Sequence, residues 1–172
     1  MFARVSFFIV ALCLTEPPFQ SWARAEDGRT KVGPAGGEGG DEFADRQISK
    51  GARVIGVKIR HGLYADGIEL LYKTVDGKKE GLGWHGGDGG EEETFLLEDG
   101  EYITGITGKS GEFVESLSII TNKRKSKKYG GDGGDKTFEL QKSGQEVTGF
   151  CGRSGAYLDQ IGIFVHERPD TR

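Results

Sequence analysis

The sequence holds 172 residues with a formal net charge of −4, and 30 of the residues are glycine. That mild acidic excess makes a poor partner for nucleic acid or an anionic membrane, whose phosphates reward clustered lysine and arginine. So much glycine also disfavours helices, because each glycine inside one costs about 1 kcal/mol relative to alanine.

The chain opens with Arg4, an apolar run over residues 5–14 and the triplet Ala23-Arg24-Ala25. A short positive start, a brief apolar stretch and an A-x-A site are the marks of a secretory signal peptide. The run is too short to cross a bilayer, no other run is long enough, and Pro17-Pro18 would break a helix continuing from it. Residues 1–25 are therefore expected to be a signal peptide, with the protein secreted to the extracellular space. What remains, 26–172, suits one domain with one core. Cys13 leaves with the leader, so Cys151 stands alone and forms no intrachain disulfide. Beside Phe150 at a strand end it reads as a small buried hydrophobe.

Residues 26–31 form a polar leader expected to fray, and residues 33–40 form a loop almost without side chains. After that, short β-like segments alternate with Gly, Asp, Asn and Ser turns. Val54, Ile55, Val57 and Ile59 come first, then 68–72, then 95–97 before the turn Glu98-Asp99-Gly100. Tyr102, Ile103 and Ile106 follow, then Leu117, Ile119 and Ile120, ended by Thr121-Asn122. Residues 138–140, 147–150 and 161–165 complete the set. No stretch keeps a 3.6-residue period over ten positions, so the class is all-β.

A repeat decides the architecture. Gly36-Gly37-Glu38-Gly39-Gly40 recurs as Gly86-Gly87-Asp88-Gly89-Gly90 and as Gly130-Gly131-Asp132-Gly133-Gly134. A second element, Gly-x-x-x-acid, occurs as Gly62-Leu63-Tyr64-Ala65-Asp66, Gly111-Glu112-Phe113-Val114-Glu115 and Gly155-Ala156-Tyr157-Leu158-Asp159. Both elements return every 44 to 50 residues, a length that accommodates about four short strands. One such sheet could not bury its inner face alone, so three Greek-key sheets closing on a common axis are expected.

The loops suggest a chemistry. Glycine admits φ > 0 and leaves amide N–H groups uncovered. Bare donors closed by a carboxylate suit a neutral, hydroxyl-rich ligand and repel phosphate. A nucleotide site is excluded, because no helix follows the loops and no Gly-Lys-Ser/Thr closes one. Calcium-binding β-roll repeats come in tandem at a short period, unlike these. His61, His85 and His166 lack metal-ligand spacing, and no cofactor is expected. Nothing supplies a nucleophile, a general base or a flanking carboxylate pair, since Asp66 and Asp159 belong to different loops; no enzyme is expected. The glycine loops at 86–90 and 130–134 could equally serve only to turn corners. Tyr64, Tyr102 and Tyr129 could equally be packing residues. The basic run at residues 123–128 reads as a solvated hairpin loop, with a contact to anionic glycans or another non-sugar interaction as its alternative.

Taken in order, these landmarks resemble the jacalin-related lectins, the β-prism carbohydrate-binding family. The matching residues are Gly33-Pro34-x-Gly36-Gly37-x-Gly39-Gly40 with Phe43, then His85-Gly86-Gly87-x-Gly89-Gly90. They continue through Gly100-Glu101-Tyr102-Ile103-x-Gly105, Thr121-Asn122, and Tyr129-Gly130 with Gly133-Gly134. They end on Gly149-Phe150-x-Gly152-Arg153-Ser154-Gly155-x-Tyr157-Leu158-Asp159-x-Ile161-Gly162. The resemblance implies a β-prism I of three four-stranded Greek-key sheets with pseudo-threefold symmetry. It implies a sugar site in which the first glycine loop, through Gly40, meets the last Gly-x-x-x-Asp loop, through Gly155, Ala156, Tyr157 and Asp159. The Tyr157 ring is expected to flank an apolar face of the sugar. Galactose-preferring members are cut near the glycine loop, whereas this chain runs unbroken into Gly33 and so resembles the mannose/glucose branch. A second site is implied at Gly90 with Gly62, Leu63, Tyr64 and Asp66. At the third pair Glu115 replaces aspartate, and little or no binding is expected. Single sites of this kind are weak, so useful avidity calls for two sites per chain or a homodimer.

Overall fold

The computed structural model describes residues 28–168, which form thirteen strands and no helix. The signal-like segment lies outside the described residues. β1 (Thr30–Gly36) and β2 (Asp41–Ala44) bracket the first glycine loop. β3 (Arg53–His61) and β4 (Ala65–Lys73) form a hairpin around the first Gly-x-x-x-acid loop. β5 (Lys79–Gly81) and β6 (His85–Gly86) lead through the second glycine loop to β7 (Glu91–Leu96). β8 (Ile103–Ser110) and β9 (Val114–Thr121) make the next hairpin, and β10 (Tyr129–Gly130) and β11 (Lys136–Gln141) bracket the third glycine loop. β12 (Gln145–Ser154) and β13 (Leu158–Glu167) form the last hairpin.

Each sheet is one central hairpin flanked by the two strands that bracket one glycine loop. The orders are β1-β13-β12-β2, β5-β4-β3-β7 with β6 also on β4, and β10-β9-β8-β11. All pairings are antiparallel. The middle sheet counts five strands because its outer edge is split: β5 pairs with Leu71, Tyr72 and Lys73, and β6 with Gly67 and Ile68. The unit of structure is offset from the unit of sequence. A hairpin pairs with the glycine loop after it, so the first glycine loop has no hairpin before it and is closed by the last one. The first sheet thereby ties the two ends of the described chain together.

The structure corrects two expectations. The leader expected to fray already contains strand, since Thr30 and Lys31 pair with Val165 and Phe164. Arg29 is buried, with its guanidinium 4.1 Å from the centre of the Phe164 ring. The glycine loop also begins later than expected, because β1 continues through Gly33-Pro34 with a register shift between Val32 and Ala35.

The inner faces of all three sheets meet in one core. Ile59, Ile68 and Leu70 come from the second sheet, Ile106, Leu117 and Ile119 from the third, and Phe150, Leu158, Ile161 and Ile163 from the first. All ten are fully buried. Each contributes roughly 1.5–3 kcal/mol of burial, so no sheet is stable without its neighbours. Cys151 is buried, and that burial pushes its thiol up to about 11, as a small hydrophobe's position would.

The three hairpins share two irregularities that aim the site. Register shifts fall between Val54 and Gly56, between Ile103 and Gly105, and between Val147 and Gly149. A second shift falls just before each turn, at Arg60/His61, Lys109/Ser110 and Arg153/Ser154. A bulge bends its strand and re-aims the residues beyond it. All three Gly-x-x-x-acid loops therefore leave their sheets the same way, at one end of the prism.

Candidate functional site

At that end the first glycine loop meets the last Gly-x-x-x-acid loop. The Gly37 amide donates to the Asp159 carbonyl at 2.9 Å. A methyl group on Gly39 would lie 2.4 Å from Asp159 Oδ1, and one on Gly40 would lie 2.6 Å from Oδ2 and 2.4 Å from the Ser154 carbonyl carbon. Gly40 also has φ of 63°, where a side chain is strained. Only bare backbone fits against this carboxylate. Asp159 is 6% exposed, and its Oδ2 has no hydrogen-bond partner. Leaving such an acceptor unmade costs about 1–3 kcal/mol or more, so the oxygen is poised for a donor from outside the protein. In the turn, the Gly155 amide donates to the Tyr157 carbonyl at 3.0 Å. That leaves the Ala156 and Tyr157 amides as the turn's uncommitted donors.

The second pair repeats the arrangement. The Gly87 amide donates to the Asp66 carbonyl at 2.9 Å, and Gly62 to the Tyr64 carbonyl at 3.0 Å. A methyl group on Gly90, at φ of 72°, would lie 2.6 Å from Asp66 Oδ2. Asp66 is 5% exposed, and its Oδ2 is likewise unpartnered. Burial holds its carboxyl above the usual aspartate value, an effect partly offset by His61 and by backbone N–H groups. The residues expected at the second site, Gly62, Leu63, Tyr64, Asp66 and Gly90, line one cleft, and at the first site Gly40 meets Gly155 and Asp159.

The third pair keeps the backbone and changes the acid. Gly131 donates to the Glu115 carbonyl at 3.0 Å, and Gly111 to Phe113 at 2.9 Å. A methyl group on Gly134 would meet Glu115 Cγ at 2.9 Å, so a methylene occupies the place a carboxylate oxygen holds in the other two pairs. A methyl group on Gly133 would lie 2.6 Å from Glu115 Oε2, and Glu115 is only partly buried.

The pairs form a ring. A methyl group on Gly37 would lie 2.2 Å from the Glu112 carbonyl oxygen, one on Gly87 2.1 Å from that of Ala156, and one on Gly131 2.4 Å from that of Leu63. Each glycine loop thus rests on the second residue of another pair's turn. At the centre, Tyr64, Phe113 and Tyr157 pack edge-on with ring centroids 5.1 to 5.4 Å apart. The Tyr157 ring borders the second cleft, about 430 Å³, while Phe113 borders the first, about 750 Å³. The Tyr157 ring thus packs against both Tyr64 and Phe113, and Tyr157 lines the second cleft.

Sequence reasoning missed the groups that hold these loops. Arg153 donates from Nε to the Gly39 carbonyl at 2.9 Å and from Nη2 to the Gly40 carbonyl at 2.7 Å, and its Nη1 donates to Glu42 at 3.1 Å. Gln160 donates to the Gly37 carbonyl at 2.9 Å. At the second pair, Arg60 pairs with Glu92 at 3.3 Å and lies over Trp84. His85, stacked 4.0 Å from Phe43, meets the buried Asp45 at 2.7 Å and ties the second glycine loop to the first sheet. The signal for Arg153 was its place two residues before Gly155, matched by Arg60 before Gly62.

The basic run is largely neutralised where it stands. Arg124 pairs with the buried Glu101 at 2.9 Å, Lys127 with Glu93 at 2.6 Å, and Lys128 with Asp132, while Lys123 donates to the Asp99 carbonyl. These pairings favour the solvated-loop reading over an anionic-glycan site.

A family model described as the Jacalin-like lectin domain matches residues 32–164. Horcolin from Hordeum vulgare subsp. vulgare is 36% identical over 107 residues, covering 58% of this chain and 70% of that protein. The wild-type Malaysian banana lectin structure aligns with a TM-score of 0.72 at 31% identity, over 82% of this chain and 100% of that one. A mannose-binding jacalin-related lectin from Ananas comosus aligns with a TM-score of 0.69 at 28% identity, over 81% and 99% of the two chains.

Proposed function

The chain belongs to the jacalin-like lectin family of non-enzymatic carbohydrate-binding proteins, and from that premise we propose that it binds mannose- or glucose-type glycans at two loop pairs. The observation that carries this reading is the buried, unpartnered Oδ2 of Asp159 facing Gly40, repeated at Asp66 facing Gly90. A carboxylate accepts hydroxyl protons in charge-assisted bonds, while the amides of Ala156 and Tyr157 donate to ring and exocyclic oxygens. Neither partner depends on a mobile rotamer, so the site is organised before the sugar arrives. At the second site Leu63 and Tyr64 supply the corresponding amides.

Preference for mannose or glucose is supported by the mannose-binding relative from Ananas comosus and by the unbroken run into Gly33. One shallow site of this kind binds at about millimolar strength, near −4 kcal/mol. Two sites at one end of the prism, and more in a homodimer, raise the avidity for branched glycans. Export through the signal-like segment would bring the lectin to extracellular glycoproteins. Titration calorimetry with methyl α-mannoside and methyl α-galactoside tests the proposal: the mannoside should bind and the galactoside should not. A folded protein that bound no hexose would overturn it.

A further inference from the structure

The two complete loop pairs have different surroundings. The second cleft is closed by Ala156 and Tyr157 and rimmed by Leu63, whose side chain is 81% exposed. The first is closed by the third loop pair instead, so that Glu112, Asp135 and Lys136 face Glu38 across it. Glu38, Glu112 and Asp135 are exposed, and none makes an ion pair among the described residues. The wall cannot retreat, because the Glu112 backbone lies in contact with Gly37. The unpartnered Asp159 carboxylate, more than nine-tenths buried, lines the same cleft and marks it as the place where a ligand sits.

We propose that this wall makes the first site selective by charge: it accepts neutral oligosaccharides and rejects those with a carboxylate on the unit next to the bound hexose. Glu112 and Asp135 are the residues that discriminate. The inference rests on Asp159 as the sugar-binding carboxylate. One lysine against three carboxylates leaves the wall negative, and a uronic acid held there meets like charges. At such range the penalty corresponds to about tenfold in affinity. The second site has one carboxylate on its rim, Asp88, beside the apolar Leu63, and should discriminate less.

The test uses the Asp66→Ala protein, so that one site is measured. It is titrated with methyl α-mannobioside and with the analogue whose second unit is glucuronic acid, at low ionic strength and neutral pH. The neutral disaccharide should bind about tenfold more tightly. The gap should close when Glu112→Gln and Asp135→Asn are added, and it should narrow in high salt. Equal binding of the two sugars, or a gap that survives both substitutions, contradicts the inference. If the neutral disaccharide does not bind at all, the sugar site itself is misplaced and the inference falls with it.

Discussion

Asp159 and Asp66 are the residues on which the site turns, and their surroundings show why glycine must face them. A Cβ at Gly40 would collide with both the Asp159 carboxylate and the Ser154 backbone, at a φ that already disfavours side chains. Gly40→Ala should therefore cost about 1–2 kcal/mol of stability and abolish mannoside binding at the first site while sparing the second. Denaturant melts together with amide chemical shifts at Ala156 and Leu63 separate the two effects. Glu115 offers the converse experiment. Its extra methylene fills the space that a carboxylate oxygen occupies in the other pairs. Glu115→Asp should restore that oxygen and raise the number of mannosides bound per chain from two to three; an unchanged count would mean the third loop lacks more than the acid.

The repeats and the all-β class were legible in the sequence, because glycines, acids and their spacing are one-letter facts, whereas the pairing of the first glycine loop with the last acid loop came from the family resemblance. The supports were not legible. Nothing in the letters says that Arg153 folds back to donate to the Gly39 and Gly40 carbonyls, since that contact joins residues more than a hundred positions apart. The edge strands β2, β5, β6 and β10 were missed because they are short and rich in glycine or charge, and β1 because Gly33-Pro34 interrupts it; all five are held by their partners rather than by local propensity. The packing of the Tyr157 ring on Tyr64 and Phe113 was not legible, because loop packing about the axis is a tertiary property. Arg153→Ala should loosen the first glycine loop and weaken that site about tenfold, leaving the second unchanged, as the loss of two charge-assisted bonds implies. The loop between β9 and β10 depends on Arg124 in a similar way. Its bonds to Glu101, outweighing the cost of burial, hold that carboxyl down at about 2. A depressed pKa adds stability above the unfolded-state value, near 4.5, which is lost as pH falls toward 2. Arg124→Ala should lower the stability at pH 7, by less than breaking a fully buried pair would because Arg124 is 43% exposed, and should change it little near pH 2. Melting temperatures across that range would show it.

At the scale of the whole molecule, three sheets share one core and three loop pairs share one ring, so each site borrows its wall from another pair. Binding is thereby separated from folding. The core sets the axis through residues such as Phe150 and Ile163, while the carboxylates sit at one end, where they can be changed without disturbing it. The central claim is that two equivalent buried carboxylates make two sugar sites. Calorimetric titration with methyl α-mannoside tests it most directly across the natural protein, Asp159→Ala, Asp66→Ala and the double variant. Two sites, one, one and none are predicted for the four proteins; binding retained by the double variant, or absent from the natural one, would contradict the account.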